Sequence, residues 1–510
     1  MDYSEFSARQ LGRIIASGGI SAREATLASL EKIEKTEPDI QAFITISADQ
    51  ALLQAEEIDS RLAAGENLMP LAGVPMALKD NISTAGIRTT CASKMLEEYV
   101  PPYTATAAEN LQSGGAVMLG KTNMDEFAMG STTETSHMKV THNPWQPGHV
   151  PGGSSGGSAA GVAAGEVFYA LGSDTGGSIR QPCSYCGLTG LKPTYGSVSR
   201  YGLIAYASSL DQIGPIARDV ADCALVFNQI AGPDQRDSTS MKKSDLQKFH
   251  GLLELSDRLA ADQSEWTQGL SGKRIAVPET FLSHQLQNEV KLAIEKLIRQ
   301  LSELGAECVS CEMPLLDESI PAYYLIATAE ASANLARYDG IQYGHRSAAD
   351  EFSDLTDFYC KNRSEGFGSE VRQRIMLGTF ALSSGYYDAY YLQAQKTRRL
   401  IRDQYISLLD KFDFILSPVA PTTAPAIGTS LSDPLNMYLS DIFTVAANLT
   451  GLPALALPCG FDNKGLPIGF QLTGKAFAEA ELFEAGLAYQ AATDYHRQIP
   501  LYLKQKEARQ

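Results

Sequence analysis

The run Val167-Phe168-Tyr169-Ala170-Leu171 empties abruptly into Gly172-Ser173-Asp174-Thr175-Gly176-Gly177-Ser178, and no other feature restricts the fold as much. An apolar run this short reads as a buried strand, and the glycines after it leave backbone N–H groups without side-chain cover. The same texture recurs from Leu71 onward: Val74 to Lys79, Ala116 to Gly120, Arg274 to Pro278 and Phe412 to Val419 read as strands between helical stretches. Alternation of this kind predicts an α/β protein built on one large sheet. The first clear helix opens with the capping box Ser21-Ala22-Arg23-Glu24, presents Leu27, Leu30 and Ile33 on one face, and is expected to stop at Pro38. Val290, Leu292, Ile294, Leu297, Ile298, Leu301 and Leu304 mark a later amphipathic helix. Ser158 to Gly165, almost all small residues, predicts a helix that packs very closely on its neighbours.

These elements divide the chain into an N-terminal helical layer (1–65) belonging to the same domain, a main domain (66–485) and a C-terminal tail (486–510). Residues 235–272 are polar and weakly periodic, which predicts a surface insertion away from the function.

With 510 residues, 44% of them hydrophobic, the chain can bury a large core. Its 42 Lys+Arg against 59 Asp+Glu give a formal charge of −17, which disfavours direct binding of nucleic acid or anionic membrane. No apolar run reaches about 18 residues and the first residues lack a secretory pattern, so a cytosolic protein is expected. The eight scattered cysteines form no disulfide framework and are read as reduced. Cys183-Cys186 and Cys308-Cys311 have zinc-compatible spacing, but the second pair lies in a strand-like segment that turns its side chains to opposite faces.

The string Pro151-Gly152-Gly153-Ser154-Ser155-Gly156-Gly157-Ser158 is not a P-loop, because no Gly-Lys-Ser/Thr closes it. It fits G-x-S-x-G formally, but that hydrolase reading needs a downstream acid and histidine, and His250, His284, His345 and His496 have no telling context. Joined to the string ending at Ser178, it supports a different chemistry. Main-chain N–H groups from Thr175 through Gly176 and Gly177 to Ser178 can converge on a developing oxyanion. Lys79 closes an apolar strand, and burial favours the neutral amine that can serve as the base a hydroxyl nucleophile needs. Taken singly, a strand-ending lysine is a solvated side chain and a serine among glycines is a turn residue; the order and spacing of all three carry the reading.

Lys79 and the two serine-glycine strings together resemble the amidase signature family, and the likeness runs through nearly the whole chain. The resemblance implies the amidase signature fold, a large mixed sheet covered by helices on both faces. It implies Ser178 as nucleophile, Ser154 after a cis peptide as relay, Lys79 as base, and Asp174 with Arg180 as braces of the loop. Gly120 to Gly130, Arg363 to Gly368 and Leu377 to Gly385 are further similar to the glutaminase branch of that family, which works inside tRNA-dependent amidotransferases. That likeness implies B and C partner subunits in a heterotrimer, glutamine as substrate, and misacylated tRNA held mainly by the B subunit. It implies no cofactor in this chain, with ATP and Mg used through the partner. Arg363 is expected to bind the glutamine α-carboxylate by its planar fork. An acid between Asp433 and Asp441 is expected on the α-ammonium, with Asp433 favoured. Ser131 and Tyr323 or Tyr324 are expected to line the pocket. Departures from the family pattern are Cys183, where a small residue such as Ala is usual, and the 235–272 insertion. A stand-alone amidase acting on other carboxamides is the alternative function, and a non-catalytic assembly subunit a third.

Overall fold

The computed structural model describes residues 3, 5–260, 266, 268–283, 286–348, 352–432, 437–438 and 440–507. Eleven strands form one sheet: β1 (Phe43–Ile46), β2 (Pro75–Lys79), β3 (Val117–Thr122), β4 (Tyr169–Asp174), β5 (Thr189–Lys192), β6 (Gln212–Ala217), β7 (Arg274–Pro278), β8 (Glu307–Cys311), β9 (Phe414–Pro418), β10 (Ala454–Phe461) and β11 (Pro467–Thr473). Their order is β1-β3-β2-β4-β6-β5-β10-β11-β9-β7-β8. Two parallel groups, β3-β2-β4 and β9-β7-β8, are joined by an antiparallel centre, so the sheet is mixed.

Helices cover both faces, as the alternation of side chains along single strands records. In β7 Ile275 joins one apolar cluster and Ala276 another; in β9 Phe414 and Leu416 join the first cluster and Ile415 the second. A strand covered twice has no polar face, which is why β2, β3, β4, β5 and β6 are buried from end to end. Tight packing relies on small residues where expected. In helix Gly156–Ala163 a Cβ on Gly157 would stand 2.5 Å from backbone atoms of Ala42 and Asn123. No helix among the described residues is long and apolar enough to cross a membrane.

Four expectations are corrected. Helix Ala22–Ile40 runs past Pro38 and ends where Gln41 turns left-handed. A proline in the last turn costs only the hydrogen bond to the carbonyl four residues back, and the helix absorbs it. The buried face of that helix is Ala25, Ser29, Ile33 and Thr36, while Leu27 and Leu30 are only half-buried. The 235–272 segment is more than surface: its helix His250–Ala260 buries Leu252, Leu255 and Leu259 in the main core. The intervening Glu254, Asp257 and Arg258 dilute the apolar signal, but the leucine spacing is helical. Finally, the division at 485/486 falls inside helix Glu479–Ala492, and Tyr502 beyond it hydrogen-bonds Asp39 at 3.0 Å, so the tail is tied to the N-terminal layer.

Candidate active site

β2 lies between β3 and β4 and parallel to both, and this places Lys79, its last residue, beside the loops that follow the neighbouring strands. Lys79 is fully buried; its Nζ donates to Ser154 Oγ at 2.7 Å and to the Ser173 carbonyl at 3.2 Å. Burial lowers its pKa to about 7, against the opposing pull of Asp125, Asp174 and Asp211. The Gly153–Ser154 peptide is cis. Gly153 donates its N–H to Gln181 Oε1 at 3.0 Å, and a Cβ there would meet Asp125 Oδ2 at 2.1 Å.

β4 runs into the loop bearing Ser178 and then helix Arg180–Cys186. Asp174 organises this loop by accepting from the Gly177 N–H at 2.8 Å, the Ile179 N–H at 3.1 Å and the Arg180 guanidinium. Burial alone would raise the Asp174 carboxyl, but Arg180 brings it down to about 2. The Arg180 guanidinium is itself fully buried and reaches the Thr444 carbonyl, Gln471 Oε1 and Asn448 Oδ1 at 2.7–2.9 Å. Gly177, expected as an oxyanion donor, therefore directs its N–H at Asp174; a carboxylate three residues back captures it to form the turn. Among the described residues the N–H groups of Thr175, Gly176 and Ser178 have no such acceptor. Thr175 Oγ1 donates to Asp211 Oδ1 at 2.7 Å, which fixes the start of the turn. Gly176 must lack a side chain because a Cβ would stand 2.5 Å from Tyr323 Cζ.

Ser178 is 8% exposed, whereas Ser154 and Lys79 are sealed. The two serine strings are tied through main chain, Ser155 N–H to the Ser178 carbonyl at 3.1 Å. The Ser178 hydroxyl has no hydrogen-bond partner among the described residues.

A buried polar cluster adjoins the turn through Thr444, which donates to the carbonyls of Gly176 and Asp441. Asp441 is buried and accepts from Ser131 Oγ at 2.9 and 3.0 Å and from Tyr324 OH at 3.3 Å. Burial raises its pKa to about 7, partly offset by Ser131 and the positive charge of Arg374. Arg374 is buried too. It donates to Glu370 at 2.7 Å and to Tyr206 OH at 2.8 Å, and lies over the rings of Tyr206, Tyr324 and Tyr438. Tyr323, ring to ring with Tyr324 at 5.0 Å, joins this pocket to Gly176.

The structure thus brings together Lys79, Ser154, Ser178, Thr175, Gly176, Tyr323 and Ser131, and separates Arg363 from them. Arg363 donates to the carbonyls of Leu335 and Tyr338, both at 2.9 Å, and its guanidinium covers Phe367. It braces helix Leu355–Gly366 instead of facing the pocket. Asp433 lies outside the described residues, and Asp441 is the acid found in the pocket. A signal for Arg374 exists in the sequence: Val371, Arg374, Gly378 and Ala381 share the buried stripe of helix Ser369–Leu382, and an arginine on such a stripe needs a buried role.

The Amidase family matches residues 24–483. The A subunit of the glutamyl-tRNA(Gln) amidotransferase of Moorella thermoacetica is 52% identical over 500 residues, covering 98% of this chain and 99% of that protein. The crystal structure of the corresponding A subunit of the glutamyl-tRNA(Gln) amidotransferase from Thermotoga maritima aligns with a TM-score of 0.75 at 41% identity, covering 95% of this chain and 94% of that one. The peptide amidase of Stenotrophomonas maltophilia aligns with a TM-score of 0.79 at 30% identity, covering 98% and 99%. The chain belongs to the Amidase family.

Proposed function

We propose that this chain is the glutamine-hydrolysing A subunit of a tRNA-dependent amidotransferase, working through a Ser178–Ser154–Lys79 triad. The observation that carries the reading is the sealed 2.7 Å contact between Lys79 and Ser154 beside a polar cluster holding the buried Arg374, paired with Glu370, and the buried carboxylate of Asp441. Glutamine presents that pair of opposite charges at its α-carbon. Arg374 takes the carboxylate and Asp441, oriented by Ser131 and Tyr324, takes the ammonium.

Neutral Lys79 accepts the Ser154 proton while Ser154 takes that of Ser178, which attacks the side-chain amide carbon. The Ser178 hydroxyl turns to Ser154 when the substrate carbonyl enters, since such catalytic contacts commonly tighten only in the complex. The oxyanion meets the N–H groups of Thr175, Gly176 and Ser178, where one missing donor typically costs about 100- to 1,000-fold in rate. Ammonia leaves with the proton returned through Ser154, and water repeats the path on the ester to release glutamate. The ammonia passes to partner B and C subunits in a heterotrimer. There it converts Glu on tRNA(Gln), or Asp on tRNA(Asn), with ATP and Mg used by the partner. The acidic balance of this chain suits tRNA binding by another subunit.

The test is co-expression with candidate B and C subunits and an assay of glutamine-dependent amidation of Glu-tRNA and Asp-tRNA. Amidation that needs both glutamine and an intact Ser178 is expected. Glutamine-independent behaviour, or no amidation with any partner while other carboxamides are cleaved, would leave a stand-alone amidase.

A further inference from the structure

Helix Ser369–Leu382 has two unlike faces. Its inner face carries Arg374 into the pocket and closes on helix Ser319–Leu335 so tightly that a Cβ on Gly378 would stand 1.9 Å from the Thr328 carbonyl oxygen. Its outer face is apolar and uncovered: Met376 is 65% and Phe380 46% exposed. The Phe380 ring lies 4.3 Å from that of Tyr386 and 5.8 Å from that of Tyr390, so the uncovered surface continues into the π-helical turn Asp388–Leu392. Every residue from 384 to 390 is exposed. In helix Gln393–Leu409 the spacing of Leu392, Lys396 and Leu400 carries the same face two turns further.

Single exposed apolar residues need no explanation, but a contiguous aromatic and aliphatic patch marks an interaction site. Tyrosine, phenylalanine and methionine are the residues enriched at the centres of such sites. The exposed charges around it lean basic, Arg372, Lys396, Arg399 and Arg402 against Asp388 and Asp403, in a chain whose formal charge is −17. Two copies meeting through this face would set a basic rim against itself, and like charges across an interface select against that pairing.

We propose that the face running from Arg372 to Leu400 docks the subunit that consumes the ammonia, through a surface on that subunit with an apolar centre and an acidic rim. The inference rests on the amidotransferase reading and adds to it where the partner sits. Docking bears on the outer side of the helix whose inner side holds the carboxylate-binding Arg374, so assembly and glutamine binding act on one rigid element.

The test uses the full chain with B and C subunits, two variants of this face and one control elsewhere on the surface. Met376→Glu with Phe380→Glu is expected to weaken assembly by about 100-fold, while glutamine hydrolysis by the isolated chain stays within about twofold of wild type. Arg372→Glu with Lys396→Glu is expected to slow association about tenfold at low salt, with the difference fading in about 0.5 M salt. Leu53→Glu, at a 66% exposed site on helix Ala48–Ala63, is expected to assemble normally. Wild-type assembly by Met376→Glu with Phe380→Glu overturns the proposal and leaves the catalytic reading standing. If the variant instead abolishes self-association of the isolated chain, the face belongs to a second copy and the proposal is also overturned. Failure of the wild-type chain to bind either subunit removes the amidotransferase reading and this occupant together.

Discussion

The loops of the sheet centre and the helices from 355 to 410 divide the work of the site in opposite ways. Nearly every residue from 150 to 199 is buried, and the turn at Ser178 is fixed by buried acids, Asp174 and Asp211, with Asn448 of a later helix also donating to Asp174 at 2.9 Å. In the helical region one side of a single helix is buried in the pocket and the other is uncovered. On the proposed function, reactivity is thus housed in the most deeply buried part of the molecule, and recognition of substrate and partner on an element that has an outside.

Substitutions in each region, and a pH profile, can break or sharpen that contrast. Ser178→Ala should reduce glutamate formation by about 10,000-fold or more with no change in melting temperature; appreciable turnover would remove the nucleophile from the rigid region. Arg374→Ala should lower kcat/KM for glutamine by about 100-fold or more, because it removes the guanidinium proposed to take the glutamine carboxylate and leaves Glu370 unpaired. Arg363→Ala, by contrast, should change it by less than about threefold, and a larger loss would return the carboxylate site to helix Leu355–Gly366.

Burial lowers Lys79 to about 7, so the free amine is lost as pH falls below 7, and kcat/KM should drop about tenfold per pH unit there. Asp441, raised by burial to about 7, loses its charge over the same range and steepens the fall. Lys79→Arg should be inactive at every pH, since a guanidinium does not give up its proton. A milder effect is expected from Thr175→Val. This isostere keeps the main-chain donor and removes only the hydroxyl held by Asp211, so kcat should fall about tenfold with KM little changed, and Thr175→Ser should restore it. A rise in KM alone would place Thr175 in substrate binding.

The two regions also differ in how far the sequence discloses them. Strand, glycine turn and nucleophile are contiguous in β4 to Ser178, and Lys79 ends a strand of plain apolar character, so local strings suffice to find them. Gly177 misleads for a local reason, since its donor competes with an acid three residues away. Arg363 misleads for a global one: an arginine at a helix end looks available until the carbonyls of Leu335 and Tyr338, far away in sequence, are folded against it. Pro38 misleads locally too, since a proline in the last turn costs the helix little, and the helix His250–Ala260 is masked by the charged residues between its core-facing leucines.

Arg180 sits on the catalytic turn, yet three of its hydrogen bonds go to Thr444, Asn448 and Gln471, close to the end of the chain. A polypeptide still emerging during synthesis has the nucleophile long before it has those acceptors, and an unaccompanied guanidinium cannot be buried. The turn that carries Ser178 can therefore close as described only in a chain long enough to include residues 444 to 471, and truncation ahead of them should unmake it.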